Sequence, residues 1–171
     1  MLYIYTGNGK GKTTAAMGQI VRAVGRDLKV CLIQLFKGKE FYGEQKVICK
    51  FKNLDFYSFA PKHPFCFPKV DKKDVQKQCS RALEVFKKAL KKKKPYDLIV
   101  LEEFNIAVRE GYLKYKDLDR VLDKVNKATY IVITGRGASK ELIKRADLVT
   151  EMKEIKHPFS KGIQAKKGIE Y

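Results

Sequence analysis

Apolar residues follow two alternating rhythms along the chain. Short, nearly unbroken apolar runs occur at Leu2-Tyr3-Ile4-Tyr5, Lys29 to Phe36, Tyr96 to Glu103 and Thr129 to Thr134. Runs of that length predict strands buried on both faces. Leu54 to Phe59 and Asp147 to Met152 add two more short strands. Between them, apolar positions recurring every third or fourth residue predict helices. One spans Ala15 to Val24 and ends near Gly25, and a short one covers Asp117 to Asn126; another runs from a Ser139 cap to Ala146. The longest, Asp71 to Lys94, carries acids in its first turn and one stripe of Val75, Cys79, Ala82, Leu83, Phe86, Ala89 and Leu90, which is core. Lys37 to Glu44 is a glycine-punctuated loop that joins the candidate site, because loops at the carboxyl ends of strands in an open parallel sheet surround the ligand. Pro61 to Pro68, with three prolines in eight residues, is another loop. The tail from Lys156 to Tyr171 has no periodicity but is apolar enough to pack down. Strands alternating with helices throughout predict an α/β fold, a mostly parallel sheet with helices on both faces, as one domain over residues 1–171.

Composition adds three things. No run approaches the roughly 20 apolar residues of a membrane span, and a strand at the very start leaves no room for a leader, so a cytoplasmic, non-membrane protein is expected. The four cysteines (Cys31, Cys49, Cys66, Cys79) lie far apart without metal-ligand spacing and are read as reduced thiols, Cys31 and Cys79 in the core. The net charge of +18 raises nucleic acid as a ligand, because phosphate neutralisation needs clustered lysine and arginine. The densest cluster, Lys87-Lys88 and Lys91 to Lys94, closes the long helix, where positive charge meets the negative end of the dipole. No arginine–aromatic interleaving accompanies it, so nucleic acid is the disfavoured partner.

The chemistry concentrates in a few stretches. Thr6-Gly7-Asn8-Gly9-Lys10-Gly11-Lys12-Thr13-Thr14 stands between the first strand and the first helix, the context of a phosphate-binding loop. Its backbone N–H groups and the helix N-terminus cradle phosphate, Lys12 adds charge, and Thr13 is placed for magnesium. Thr6 occupies the position where the consensus has glycine. Leu98 to Glu103, apolar and then doubly acidic, matches the strand whose carboxylate holds that magnesium. Period-two alternation sends Glu102 and Glu103 to opposite sides, so one acid faces the metal. Asn105 lies near the acids. Arg136, between two glycines at a strand end, suits a phosphate contact. Gln34 either reaches the site or satisfies a neighbouring backbone group. Phe65 and Phe67 are unusual in a loop unless they pack on something apolar.

Together these stretches, with Gln34-Leu35-Phe36-Lys37-Gly38, Tyr42-Gly43-Glu44, Thr134 to Gly137, Ala146 to Met152 and the tail from Lys156 to Tyr171, resemble the ATP:cob(I)alamin adenosyltransferases of the CobA/BtuR type from residue 2 to the end. The resemblance implies a P-loop, RecA-like fold and a homodimer. It also implies transfer of the 5′-deoxyadenosyl group of ATP to Co(I) of a reduced corrinoid in cobalamin synthesis or salvage, with triphosphate leaving. In that family ATP lies reversed in the loop, which fits the departure at Thr6. The resemblance gives Gly7, Asn8, Gly9, Lys10, Gly11, Lys12, Thr13, Thr14 and Arg22 to ATP, and Thr13 and Glu103 to magnesium. Lys12, Thr13, Glu103 and Arg136 are the catalytic set. Phe65 and Phe67 are expected to cover the lower face of the corrinoid and exclude an axial ligand. A flavodoxin or flavoprotein reductase is the implied electron donor. Co(I) is itself a strong nucleophile, and neither His63 nor His157 sits in a nucleophile motif, so the protein's task is to stabilise the leaving group. The competing readings are a nucleic-acid-linked P-loop ATPase and a binding module without turnover.

Overall fold

The computed structural model describes residues 1–38, 42–60, 62 and 70–170. Six strands, β1 (Leu2–Thr6), β2 (Val30–Leu35), β3 (Leu54–Phe59), β4 (Leu98–Glu102), β5 (Tyr130–Thr134) and β6 (Leu148–Glu151), pair entirely in parallel. Their order across the sheet is β3-β2-β4-β5-β1-β6. Central strands β2 and β4 are buried at every position, which is why their sequences show no alternation. The edge strand β6 is exposed along its length.

Strand order and the right-handed crossover rule together sort the helices. The steps β1→β2→β3 run toward one edge, placing α1 (Lys12–Val24) and α2 (Gly43–Ile48) on one face. Every later step runs the other way and places α3 (Lys72–Ala89), α4 (Phe104–Arg109), α5 (Tyr115–Leu122) and α6 (Lys140–Arg145) on the opposite face. Two apolar clusters follow this division. Ala16, Met17, Ile20 and Ile48 pack with Leu32, Val100 and Val132. Val75, Phe86, Phe104, Leu118 and Leu142 belong with Ile33, Leu101 and Ile133. Consecutive strand residues thus supply the two cores alternately. Because β1 departs to one face and its neighbour β5 to the other, a crevice opens at their carboxyl ends, where open parallel sheets bind ligands.

Local departures from the expected elements have physical causes. The first helix begins at Lys12, three residues before its apolar pattern starts. Helix α2, inside a stretch with no assigned element, buries only Gln45 and Ile48, too few positions to show a period. The long helix stops at Ala89 with Leu90 as its cap, so Lys91 to Lys94 lie beyond it and only Lys87 and Lys88 meet its dipole end. The Asp71 carboxylate accepts from the Lys73 N–H at 2.9 Å and the Ser139 hydroxyl from the Leu142 N–H at 3.3 Å, so both caps are formed. Cys31 and Cys79 are fully buried, as expected, and burial pushes both thiols up to about 12. Phe65, Phe67, Cys66 and His63 lie outside the described residues. Among those described, no helix is long and apolar enough to cross a membrane.

Candidate active site

The turn from β1 into α1 is built by backbone. Gly7 and Gly11 adopt φ of 96° and 111°, in the left-handed region that suits glycine. The end of β6 runs against this turn, with Gly9 N–H donating to Met152 C=O at 2.7 Å. A Cβ on Gly7 would lie 2.4 Å from that same carbonyl oxygen, so glycine is required by close approach as well as by φ. Lys12 folds back, its Nζ donating to the carbonyls of Gly7 (2.7 Å) and Gly9 (2.6 Å). Burial lowers its pKa, with Arg136 adding to the effect while Glu103 and Glu102 oppose it. Thr6, the departure from consensus, is buried; its hydroxyl accepts from the Ala138 N–H at 3.1 Å and ties the β5–α6 connection to β1.

Across the crevice, side chains from three other parts of the chain converge on one carboxylate. Glu102 is fully buried at the end of β4. Its Oε1 accepts from the Thr13 hydroxyl at 2.5 Å and from Lys37 Nζ at 3.0 Å, and its Oε2 accepts from the Thr134 hydroxyl at 2.5 Å. Lys37 Nζ also donates to Thr13 Oγ1 at 2.8 Å and lies 4.9 Å from the Tyr42 ring centroid. Burial alone would lower the Lys37 pKa, but the charges of Glu102 and Glu103 and the Glu102 hydrogen bond outweigh it, and the net shift is upward.

Glu103 does not turn away from Glu102 as strand alternation predicts. The strand stops at Glu102, and Glu103 caps α4 with φ of 64°. A non-glycine residue held there costs on the order of 1–3 kcal/mol and is a mark of functional sites. The Thr134 hydroxyl accepts from its N–H at 3.0 Å. Of the two acids only Glu103 lines the crevice, as expected, while Glu102 is buried behind Thr13 and Lys37. Glu103 Oε2 is buried without a hydrogen-bond partner. Burial, and then the charge of Glu102, raise its pKa to about 7, against the pull of Lys37, Lys12 and Arg136.

The crevice is a cavity of about 910 Å³, toward the upper end of the roughly 300–1,000 Å³ of small-molecule sites. Asn8, Gly9, Lys10, Gly11, Lys12, Thr13, Thr14, Glu103 and Arg136 line it. Gly7 lies beneath, serving the turn, and Arg22 is absent from the lining. Ten residues along α1 from Lys12, Arg22 is displaced by about 15 Å of helix, and its charge acts on Tyr5. Other residues of the quoted stretches also contribute: Lys37, Glu102 and Thr134 in the buried cluster, and Gly168, Ile169 and Glu170 of the tail in the wall. Lys10 Nζ holds the tail through Glu170 at 2.9 Å. In the sequence Lys37 is marked by its loop's place at the carboxyl end of a strand, Thr134 and the tail only through the family resemblance, and none of them is given a role at the site. Gln34 accepts from Gln45 Nε2 at 2.7 Å, tying β2 to α2 rather than lining the cavity. Asn105 donates to Gly135 C=O at 3.1 Å, fixing the loop that carries Arg136.

An all-parallel sheet with helices on both faces, opening a cavity between a glycine-rich turn and an acidic strand end, puts the chain in the P-loop-like class of α/β proteins. The sequence profile of the ATP:corrinoid adenosyltransferases BtuR/CobO/CobP matches residues 1–171. All of the chain aligns with the corrinoid adenosyltransferase of Pseudomonas aeruginosa at 36% identity, covering 83% of that protein. It aligns equally with those of a Sinorhizobium species (34%, covering 80%) and Escherichia coli (31%, covering 85%). The chain belongs to the ATP:corrinoid adenosyltransferase family, whose substrates are ATP and a corrinoid.

Proposed function

We propose that this chain transfers the 5′-deoxyadenosyl group of ATP to the Co(I) centre of a reduced corrinoid and releases triphosphate. The observation that carries this reading is the make-up of the cavity wall. Among the described residues it holds Lys10, Lys12, Lys37 and Arg136 with the glycine-turn backbone, and no histidine, cysteine or serine. His157 is spent within the tail, its Nδ1 accepting from the Phe159 N–H at 3.1 Å. Such a wall suits holding an anion, and the nucleophile arrives with the second substrate. The electron pair of Co(I) forms the Co–C5′ bond while the C5′–O bond breaks, and its pair leaves on the triphosphate. Lys12, the turn's N–H groups and Arg136 stabilise that growing charge, work worth roughly 100-fold in rate or more per well-placed donor.

Magnesium fits the residues present. Glu103 Oε2 is a buried, unpartnered oxygen in the same wall as the Thr13 hydroxyl, and hard oxygen donors completed by phosphate are what this ion takes. Among the described residues no group of three His, Cys, Asp or Glu gathers to bind metal alone, so Thr13 and Glu103 would hold it jointly with nucleotide. When bound, the ion would neutralise leaving-group charge. Phe65 and Phe67 on the lower corrinoid face, a homodimer, a flavoprotein electron donor and a cytoplasmic setting belong to the same proposal.

Incubation with ATP, magnesium, a strong reductant and cobalamin tests it: adenosylcobalamin and triphosphate are expected in equal amounts, and ADP with unchanged cobalamin overturns it. The nucleic-acid ATPase is not favoured. The lysine run after α3 lies at the amino end of the sheet, where Lys92 bonds Asp55 near the start of β3, and the cavity lies at the carboxyl end.

A further inference from the structure

Lys37 is 8% exposed, yet its ammonium does not reach for solvent. It rests between the Thr13 hydroxyl at 2.8 Å and Glu102 Oε1 at 3.0 Å, and those two oxygens are themselves 2.5 Å apart. A hydroxyl and a carboxylate in contact form an oxygen pair suited to a divalent ion, and here a tethered monovalent cation neutralises it. Tyr42 flanks the ammonium on another side. The remaining Glu102 oxygen is taken by Thr134, so Lys37 is the charge that allows this carboxylate to be fully buried.

We propose that Lys37, held between Thr13 and Glu102, is a built-in cation that keeps divalent metal off the Thr13–Glu103 site until nucleotide brings the metal in. A divalent ion approaching Thr13 meets a positive charge at contact distance in a poorly solvated place, where like-charge repulsion is large. Phosphate oxygens supply the compensating negative charge, so metal entry becomes coupled to ATP. Lys37 itself lines the cavity, so its charge stays in the wall the triphosphate faces. It is a positioning residue, acting on the reaction through Thr13 and the metal. The proposal rests on the reading of Thr13 and Glu103 as the metal site.

Manganese binding followed by paramagnetic resonance tests this without corrinoid or turnover. Wild type should bind Mn²⁺ weakly alone and tightly with ATP. Lys37→Met should bind Mn²⁺ without nucleotide about 10-fold or more tightly than wild type, and added Mg²⁺ should raise its melting temperature while leaving nucleotide-free wild type unchanged. Lys37→Arg, which keeps the charge, should behave as wild type does. Equal nucleotide-free Mn²⁺ affinity in Lys37→Met and wild type overturns the proposal while leaving the adenosyltransferase reading intact. Should Lys37→Met fail to fold, wild type alone decides: Mn²⁺ binding unaffected by ATP overturns the proposal, and binding strengthened at least about 10-fold by ATP supports it. Absence of Mn²⁺ binding even with ATP removes the metal subsite itself and this inference with it.

Discussion

The two walls of the cavity are built on opposite principles. The glycine-rich turn is contiguous: its geometry comes from left-handed glycines, and its lysine is satisfied by its own carbonyls at Gly7 and Gly9. The acidic wall is assembled from afar, Glu102 being held by Thr13, Lys37 and Thr134 from three other parts of the chain. The first wall needs one short segment to have the right residues. The second exists only when four parts of the chain are already packed, and it carries buried charge that must stay balanced. Ligand-binding geometry is therefore local, while electrostatic poise is a property of the whole fold.

Mutation can pull the two apart. Glu102→Ala should have the largest effect on stability, about 3–5 kcal/mol, because it strands the Lys37 charge in the interior; urea unfolding measures it, and a loss below about 1 kcal/mol would mean the acidic wall is not a balanced pair. Lys12→Ala, in the contiguous wall, should do the reverse: a loss of about 100-fold or more in triphosphate release with a nearly unchanged melting temperature. Gly7→Ala should cost on the order of 1–3 kcal/mol through φ alone, plus the clash with Met152 C=O, and should abolish nucleotide binding by calorimetry.

Acidity gives a subtler handle on the acidic wall. The folded chain keeps the Glu103 proton up to about pH 7, whereas the unfolded chain loses it near the ordinary carboxylate value. Folded protein thus binds more protons across that window, so this group's contribution to stability falls as pH rises through it. If Glu103 holds magnesium as proposed, the ion competes with the same proton, and Mg²⁺-dependent ATP affinity should rise between pH 6 and 8. Glu103→Gln should flatten both dependences; a slope that survives assigns it to another group. The smallest effect is expected at the rim. Lys10→Ala breaks an exposed pair with Glu170, worth about 0–1 kcal/mol, and should alter nucleotide release more than stability.

Elements that expose one pattern were legible from sequence. Fully buried strands such as Val30–Leu35 and the stripe of Lys72–Ala89 announce themselves because burial repeats along many residues. Six-residue helices such as Gly43–Ile48 and Phe104–Arg109 bury too few positions to form a period. The lysine run beyond Leu90 reads as helix because lysine has high helix propensity. Alternation does not extend to Glu103 because a strand end is set by where pairing stops, and the N–H of the positive-φ residue that follows is held by Thr134, distant in sequence.

What the sequence determined by itself was everything carried by neighbouring residues: the alternating elements, the glycine turn with Lys12 and Thr13, and the acids at the end of β4. Tertiary structure alone decided that Lys37 is paired with Glu102, that Thr134 holds both acids, and that the tail forms part of the cavity. The physical reason is range. Backbone conformation and periodic burial are written within a few residues, whereas the pairing of buried charges depends on which strands the crossovers bring side by side.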